Sequence, residues 1–351
     1  MKVIITIPDL RMGGAEKMSL TQAEGLAKKG FDVTLLTVYK AQDFYTVPAG
    51  VKRLALNLSH ARKNILGKTK SLRTLYKTLK EIKPDVIISN MMVNVAALGV
   101  LLKIKTIFVE HMQLDKTDIN IQKKFVLNRA AYCVFLSGRD EKYFKKHRFK
   151  SAARVIQNPA VKLAALEDKK PDFLKPAKNA VAVGRLVWEK GFDILIRAWK
   201  KTAEKHPDWH LSIVGDGPQK DSLAGLIKEY KIDGSVTLAG QYKDMANVYK
   251  NADIFILSSR REGFPVALCE AMAWGAPPVA FDCETGPSDI IQNNHNGVLL
   301  NESTAQELAG GINFLIEHED KRVQFAKNAA EIIFRFGLEE YINKYADLCR
   351  N

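Results

Sequence analysis

The feature of this sequence that most constrains its fold is the alternation, along all 351 residues, of short apolar runs with longer helical patterns. Such alternation is typical of parallel sheets whose strands are joined by crossover helices. The predicted strands are residues 3–7, 32–38, 51–56, 85–89, 106–109, 132–136 and 154–156 in the first half, and 180–183, 210–214, 236–238, 254–257, 278–281 and 298–300 in the second. We therefore expect an α/β protein with two doubly wound, Rossmann-like domains.

The boundary between these domains is predicted in a stretch that lacks a sustained period. Residues 158–178 begin with Asn-Pro and are rich in Lys, Asp, Ala and Pro, which is typical of a linker region. A chain of 351 residues is also long for a single hydrophobic core. We expect one domain over residues 1–160 and a second over residues 161–337.

The charge of the chain is unevenly distributed. The formal net charge is +14, and residues 1–160 hold 29 Lys and Arg against 12 Asp and Glu. An excess of this kind indicates that the first half meets something anionic, and nucleic acid and a phospholipid surface are both candidates. The longest apolar stretch, residues 93–102, is too short to span a bilayer, and no signal peptide precedes the first strand. With four widely spaced cysteines that form no metal-ligand pattern, a reducing cytoplasm is the expected location.

The richest local pattern is Arg-Arg-Glu-Gly-Phe-Pro-Val-Ala-Leu-Cys-Glu-Ala-Met at residues 260–272, directly after an apolar run. Glycine followed by proline predicts a tight strand-to-helix turn, with Pro265 at the first helical position. A helix start presents free backbone N–H groups, which attract anions. Glu262 stands before this helix and Glu270 within it. Amides for a phosphate and carboxylates for a polyol would suit a sugar phosphate, although a surface turn with two ordinary Glu residues is the alternative.

A second pattern, Val-Ala-Val-Gly-Arg-Leu-Val-Trp-Glu-Lys-Gly at residues 181–191, also joins a predicted strand to a predicted helix. It places Arg185 directly after the strand and Lys190 five residues later. Two cations on such a loop suit a diphosphate, because Arg can bind it through two parallel hydrogen bonds and Lys acts as a point charge.

These motifs carry a family resemblance. The spacing of Glu262 and Glu270 resembles the E-x7-E signature of glycosyltransferase family 4, whose members are retaining enzymes of the GT-B fold. The runs G-R-L-V-W-E-K-G, I-V-G-D-G-P and N-H-N-G-V-L-L occur in the order of that family, and a Gly-Gly-Ala-Glu stands near the N-terminus. The resemblance covers essentially the whole chain. It implies two domains facing a central cleft, with residues 1–160 binding the acceptor, residues 161–337 binding the donor, and the helix at 338–351 returning to the first domain.

The resemblance also implies roles for individual residues. The expected catalytic residues are His111 beside the transferred sugar, Glu262 on its hydroxyls, and Arg185 and Lys190 on the diphosphate, while Glu110 either orients the imidazole or is only its neighbour. The expected donor-binding residues are Gly13, Gly14, Gly215, Gln241, Tyr242, Gly263, Phe264, Pro265, Val266 and Glu270, the last on the ribose. At residues 283–289 the chain departs from the family's Gly-Gly form and keeps only Gly286.

No Asp-x-Asp pair follows a predicted strand, and no cluster of His, Cys and carboxylates has metal-ligand spacing. We therefore expect no cofactor and no essential metal. Arg185, Lys190 and helix N-termini would instead stabilise the departing diphosphate electrostatically.

The predicted activity is transfer of a hexose or N-acetylhexosamine from a UDP-sugar to a saccharide acceptor, with retention at the anomeric carbon. The expected acceptor is lipid-linked, for example on polyprenyl diphosphate, in assembly of a cell-surface or glycoprotein glycan. A sugar-nucleotide epimerase of the same fold is the alternative enzyme, although such epimerases lack the paired-Glu turn. A nucleic-acid-binding protein is the alternative of another class, against which the chain has no recognised nucleic-acid-binding motif and no aromatic residues along its basic runs.

The segment of residues 61–83 contains eight cations and one acid. Its apolar residues recur at helical spacing, which predicts that this stripe packs on the sheet while the cations face outwards. The predicted stripe is Leu72, Leu75, Tyr76, Leu79 and Ile82, and the predicted membrane- or acceptor-binding cations are Lys68, Lys70, Arg73 and Lys77. We expect peripheral attachment to the inner face of the cell membrane, with a second basic run at residues 142–150 extending the patch.

Overall fold

The computed structural model describes residues 1–59, 65–114, 117, 119–163, 171–175 and 177–351, and of residues 65–68 and 70 it describes the backbone. The chain divides into two compact units. Unit 1 comprises Met1–Asn158 and Glu339–Asn351, and unit 2 comprises Pro159–Leu338.

Unit 1 is built on a seven-stranded sheet in which every neighbouring pair of strands is parallel. Its order is β3-β2-β1-β4-β5-β6-β7. The strands are β1 (Lys2–Ile7), β2 (Asp32–Tyr39), β3 (Lys52–Leu58), β4 (Val86–Asn90), β5 (Lys105–Glu110), β6 (Tyr132–Phe135) and β7 (Ala152–Val155). The central strands β1 and β4 are apolar on both faces because helices cover both faces of the sheet.

The helices of unit 1 are α1 (Gly14–Lys28), α2 (Ile65–Ile82), α3 (Val93–Leu101), α4 (Ile121–Arg129) and α5 (Gly138–Lys146), joined by α14 (Leu338–Arg350) from the far end of the sequence. Two separate apolar layers show how they are distributed. Leu20 of α1 and Tyr345 of α14 are buried with Val3 and Ile5 of β1. Leu79 of α2 packs instead with Ile4 of the same strand, so α2 lies on the opposite face.

Unit 2 is built on a six-stranded parallel sheet of order β10-β9-β8-β11-β12-β13. Its strands are β8 (Asn179–Val183), β9 (His210–Val214), β10 (Val236–Gly240), β11 (Ile254–Leu257), β12 (Pro278–Phe281) and β13 (Val298–Leu300). Its helices are α6 (Phe192–Lys205), α7 (Lys220–Glu229), α8 (Met245–Lys250), α9 (Val266–Ala273), α10 (Pro287–Ile290), α11 (Ala305–Glu317), α12 (Glu319–Ala330) and α13 (Ile332–Arg335). The predicted fold class and all the predicted strands are therefore confirmed.

Each sheet changes direction of winding at one point, between β1 and β4 in unit 1 and between β8 and β11 in unit 2. At such a point the connections from adjacent strands leave towards opposite faces, and ligands of doubly wound folds collect beyond the carboxyl ends of those strands. The loop of Gly13 follows β1, and His111 follows β5. The loop of Arg185 and Lys190 follows β8, and that of Glu262 follows β11. The predicted site residues therefore stand at the ligand-binding edges of their sheets.

Helix α2 departs from its predicted packing. Leu75 and Leu79 are buried against the sheet and Ile82 is half-buried, but Leu72 is 39% and Tyr76 43% exposed. The prediction of a five-residue buried stripe was therefore wrong at two positions. The reason is geometric, since Leu72 and Tyr76 lie at one edge of the stripe, beyond the part of the helix that Leu75 and Leu79 bury against the sheet.

Candidate active site

The loop after β8 is shaped by a glycine at the start of α6. A one-turn 3₁₀ helix, Trp188–Lys190, is followed by Gly191 in the left-handed conformation, with φ 64°. A Cβ at residue 191 would lie 2.0 Å from the carbonyl oxygen of Ser258, which directly follows β11. Only glycine allows this approach, and it brings the loops after β8 and β11 into contact.

Those two loops are joined by an ion pair between predicted site residues. Lys190 Nζ lies 2.7 Å from Glu262 Oε1, and Glu262 is only 7% exposed. Ser259 Oγ donates to the same carboxylate oxygen at 2.6 Å, and Ser258 Oγ donates to the Lys190 carbonyl oxygen at 2.9 Å. Both residues were predicted at the site, and the structure adds that each is the other's partner.

A second connection between the loops was missed by the sequence reasoning. Arg260 donates through both terminal nitrogens to the carboxylate of Asp193, each at 2.7 Å, and its guanidinium lies 4.9 Å from the ring centroid of Trp188. The backbone N–H of Arg260 donates to the Glu189 carbonyl at 2.8 Å. The hydrogen bonds from Arg260 lower the pKa of Asp193, so the pair is charged at neutral pH. An Arg beside the Glu motif and an Asp in the first turn of α6 were the only sequence signals.

The Glu-Gly-Phe-Pro turn is supported from below by the loop after β12. A Cβ on Gly286, which has φ 94°, would lie 2.7 Å from Pro265 Cδ, and Thr285 Oγ1 donates to the Glu262 carbonyl oxygen. Gly286, the one glycine that this loop shares with the family's Gly-Gly form, is thus the residue that packs against the turn. Pro265 is the residue before α9 rather than its first residue, which corrects the predicted position by one.

The side chains of the turn are largely structural. Phe264 is 5% exposed, with its ring 5.5 Å from that of Phe336, and Val266 is 9% exposed. Ligand contacts of Gly263, Phe264 and Val266 would therefore use backbone N–H groups. Those groups belong to the start of α9, which supplies the partial positive charge of a helix N-terminus.

Glu270 lies on the buried side of α9 and is 5% exposed. Tyr249 of α8, itself 1% exposed, donates its hydroxyl proton to Glu270 Oε2 at 3.0 Å. Tyr249 was not among the predicted residues, because a tyrosine in a six-residue helix carries no site signal by itself. Its hydrogen bond fixes the orientation of the carboxylate before any ligand arrives.

The remaining predicted donor residues of unit 2 lie on adjacent loops. The N–H of Gly184 donates to the Val214 carbonyl at 3.0 Å, and that of Gly215 donates to the Gly240 carbonyl at 2.8 Å. The loops after β8, β9 and β10 are therefore hydrogen-bonded in series. Gln241 and Arg185 are exposed, whereas the Tyr242 ring is half-buried and packs edge-on against Phe173 at 5.2 Å.

In unit 1, Gly13 and Gly14 begin α1. Gly13 has an extended backbone, and a Cβ there would lie 2.1 Å from Glu16 Oε2. The Glu16 carboxylate therefore folds back over Gly13 at the helix start. Tyr45 Oη donates to the Gly13 carbonyl at 3.2 Å and holds the loop from its other side.

His111 is 9% exposed at the end of β5. Its Nε2 lies 2.9 Å from Asn90 Oδ1, and burial lowers the pKa of the imidazole to about 4. The ring is therefore neutral at physiological pH. Asn90, at the end of β4, was missed because an Asn after a strand is common in turns and carries no specific signal.

Glu110 does not contact the imidazole of His111, so the structure favours the alternative that it is only a neighbour in sequence. Glu110 Oε2 lies 2.5 Å from Lys123 Nζ of α4, and both side chains are buried. Its other oxygen accepts from the Met112 N–H at 3.3 Å, and Asp140 Oδ1 accepts from the Leu114 N–H at 2.9 Å. Burial raises the pKa of both Glu110 and Asp140. Two buried carboxyl groups and Lys123 thus hold the loop that carries His111 in place.

The basic surface of unit 1 is only partly described. Arg73 and Lys77 are exposed on α2, and the side chains of Lys68 and Lys70 lie outside the described residues. The second basic run is at α5, which packs on β6 and β7, whereas α2 covers β1, β2 and β4. Because α3 and α4 lie between them on the same face, the second run does not extend the first patch, and that expectation was wrong.

None of the helices in the described part of the chain is both long and apolar enough to cross a bilayer. Within the same ranges, no three His, Cys, Asp or Glu side chains are grouped as potential ligands of a metal ion. All four cysteines are buried free thiols.

Comparison with known proteins accounts for nearly the whole chain. Residues 12–160 match the family model described as Glycosyltransferase Family 4, and residues 165–332 match that described as Glycosyl transferases group 1. An uncharacterised glycosyltransferase of Haemophilus influenzae is 30% identical over 345 residues, covering 95% of each chain. Two doubly wound units with these matches define a glycosyltransferase of the GT-B fold. The chain belongs to glycosyltransferase family 4.

Two further relatives are similar along their full length. One is a Campylobacter jejuni alpha-1,4-N-acetyl-D-galactosaminyltransferase named for an undecaprenol-diphosphate-linked acceptor, 25% identical over 344 residues, with 94% of this chain and 93% of the relative covered. The other is Anabaena Alr3699/HepE, whose crystal structure in complex with UDP and glucose superposes with a TM-score of 0.80 at 20% identity. That superposition covers 99% of this chain and 98% of the other.

The buried pair of Glu110 and Lys123 gives a prediction for stability. Lys123→Met leaves a buried carboxylate without its cation, and loss of one partner of a buried pair costs about 3–5 kcal/mol at neutral pH. The Glu110 pKa is raised above its unfolded value of 4.5, so the folded state holds its proton more tightly. Lys123 lowers the pKa of Glu110, so its removal raises that pKa further, and the cost of Lys123→Met grows as pH rises above the pKa of Glu110 in the wild-type protein.

Urea unfolding of unit 1 at pH 5 and pH 8 checks this expectation. The loss in Lys123→Met should be larger at pH 8. Lys124→Met, which changes the exposed neighbour on the same helix, should have little effect at either pH. Equal losses for Lys123→Met at both pH values would show that Glu110 is not the group left uncompensated.

Proposed function

We propose that this glycosyltransferase transfers a hexose or N-acetylhexosamine from a UDP-sugar to a saccharide acceptor, retaining the anomeric configuration. The observation that carries the proposal is the Lys190–Glu262 pair at the carboxyl ends of β8 and β11, beside the start of α9. It places a cation for a phosphate, a carboxylate for sugar hydroxyls and free backbone amides side by side. HepE, a protein of the same fold, was crystallised with UDP and glucose, which supports a donor of this class.

Binding of the donor would replace the ion pair between Lys190 and Glu262 with separate contacts from each residue to the donor. The diphosphate carries more charge than a carboxylate and would take Lys190, with Arg185 adding a bidentate contact. Glu262 would then be free to accept hydrogen bonds from hydroxyls of the sugar. Glu270, oriented by Tyr249, would accept from the hydroxyls of the ribose.

Retention follows if the acceptor attacks from the face that the diphosphate leaves. Glu262 is held by Lys190 and Ser259, which supports a role in binding sugar hydroxyls and not that of a covalent nucleophile. Negative charge that develops on the departing diphosphate would be stabilised by Lys190, Arg185 and the amides of α9. Stabilisation by groups already in place is usually the largest catalytic contribution at such sites.

The paired carboxylates give the direct test of the site. Glu262→Gln should mainly lower turnover, and Glu270→Gln should mainly weaken UDP binding, each by roughly one to two decades, because a charge-assisted hydrogen bond contributes roughly 1.5–3 kcal/mol. Turnover is measured as UDP release from a panel of UDP-sugars with extracted lipid-linked saccharides as acceptors, and UDP binding by calorimetry. Glu189→Gln, which changes an exposed carboxylate on the neighbouring loop after β8, serves as the control. Wild-type kinetics in both test variants would remove these carboxylates from the site.

We propose that the diphosphate is neutralised without a metal ion. Activity should then persist in EDTA, and Arg185→Ala should lose most of its turnover, whereas Arg197→Ala, an exposed arginine on α6, should retain it. Turnover in each protein is compared with EDTA and with added Mg²⁺ or Mn²⁺. Loss of activity in EDTA with recovery on adding a divalent ion would contradict the proposal.

We further propose that the acceptor is linked to a polyprenyl diphosphate or another lipid and that unit 1 reaches it at the inner face of the cell membrane. The Campylobacter relative is named for an undecaprenol-diphosphate acceptor, which supports this class. On α2, exposed Leu72 and Tyr76 stand next to exposed Arg73 and Lys77. Apolar side chains among cations suit the boundary between lipid headgroups and tails.

The membrane proposal is tested by co-sedimentation with vesicles that contain or lack anionic lipid. Each cation near an anionic bilayer contributes about 1 kcal/mol, so reversing Lys68, Lys70, Arg73 and Lys77 to Glu should abolish salt-sensitive binding. Reversal of Lys142, Lys146, Arg148 and Lys150 changes the net charge equally and should weaken binding much less. Equal loss in both variants would assign the attraction to net charge alone, and absence of binding by the wild type at low salt would remove the membrane from the account.

A further inference from the structure

A chain of three buried polar side chains ends at His111. Gln22 of α1 and Asn90 of β4 are each 1% exposed, and His111 is 9% exposed. Asn90 Nδ2 donates to Gln22 Oε1 at 3.3 Å, and Asn90 Oδ1 lies 2.9 Å from His111 Nε2. The proposed transfer reaction assigns no role to Gln22 or Asn90.

The donor-to-acceptor direction of these hydrogen bonds determines which nitrogen of the imidazole carries its proton. Asn90 turns its NH₂ group towards Gln22, so it presents only its carbonyl oxygen to the ring, and that oxygen accepts but cannot donate. His111 Nε2 must therefore carry the proton. Because the neutral ring has one proton, Nδ1 is left unprotonated, and in the described part of the chain Nδ1 has no hydrogen-bond partner.

We infer that Gln22 and Asn90 are positioning residues that hold His111 as the Nε2–H tautomer, so that Nδ1 is presented to a substrate hydroxyl as a hydrogen-bond acceptor. This inference rests on the proposed glycosyl transfer. It assigns His111 the part of a neutral acceptor and not that of an acid that protonates the leaving diphosphate.

Burial favours one orientation of the Asn90 amide. A buried amide that loses its partner costs more than an apolar side chain of the same size would, so the orientation of Asn90 is firmly fixed while Gln22 accepts from it. Without that acceptor, the Asn90 amide could turn over and donate to Nε2. The ring would then carry its proton on Nδ1, and the nitrogen available to a ligand would become a donor.

The test is ¹⁵N NMR of the histidine rings in the full-length protein, with His111→Asn used to identify the His111 signals. Wild type should show one neutral tautomer, protonated at Nε2, between pH 6 and pH 8. Gln22→Met, which removes the acceptor without touching the ring, should give a mixture or the opposite tautomer. Ser89→Ala is the matched control, since Ser89 is buried on the same strand but bonds to Thr6 and the Met92 carbonyl instead.

A change of tautomer at His111 should also lower the turnover number. In Gln22→Met, kcat for the best UDP-sugar should fall about threefold to tenfold, as expected for one hydrogen bond, while KM for the acceptor stays constant. Protonation at Nδ1 in the wild type, or an unchanged tautomer in Gln22→Met, would overturn the inference whatever the activity. The expected tautomers with no activity on any UDP-sugar would instead count against the proposed reaction and leave the positioning of His111 established.

Discussion

The ion pair between Lys190 and Glu262 is the interaction around which the candidate site of unit 2 is arranged. It joins two loops that are 72 residues apart in sequence, in the partly buried position where an unpaired carboxylate would be costly. Gly191 makes the approach possible, Arg260 and Asp193 hold the loops from the outside, and the loop of Gly286 supports the turn below. The pair is therefore held by backbone geometry and by neighbouring side chains on several sides.

In unit 1 the buried polar groups near His111 pair with one another and with the backbone. Around His111 the buried groups satisfy each other: Lys123 neutralises Glu110, Glu110 and Asp140 accept from backbone N–H groups, and Asn90 engages the imidazole. The loop is therefore fixed by internal partners. In unit 2 the charged groups Lys190 and Glu262 pair with each other at the candidate site, whereas in unit 1 buried ionisable groups hold the loop of a neutral ring in place.

The strands, their order of appearance and the loops that carry the site could be predicted from the sequence, because apolar periodicity and glycine-containing turns are local signals. The partners within the site could not. Asn90 meets His111 across 21 residues, and Tyr249 meets Glu270 across the same separation, through contacts that depend on strand order. The exposure of Leu72 and Tyr76 was missed for a related reason, since periodicity marks an apolar stripe but not the width of the surface that will cover it. The donor-binding residues could be predicted because their motif is local, and the side chains that contact them were missed because these are distant in sequence.

The position of α14 has a consequence for the order in which the protein can fold during synthesis. Unit 2 is one continuous stretch of chain, Pro159–Leu338, whereas the apolar layer of unit 1 is completed by Tyr341, Tyr345 and their neighbours on α14. As the ribosome releases the chain, β1 to β7 emerge before unit 2. Helix α1 can already cover part of one face of their sheet, but the rest of that apolar layer is completed by a helix made after the whole of unit 2. Unit 1 thus completes its core only after unit 2 has emerged, and in that interval the part of the face that α14 will cover is exposed to aggregation or to capture by a chaperone.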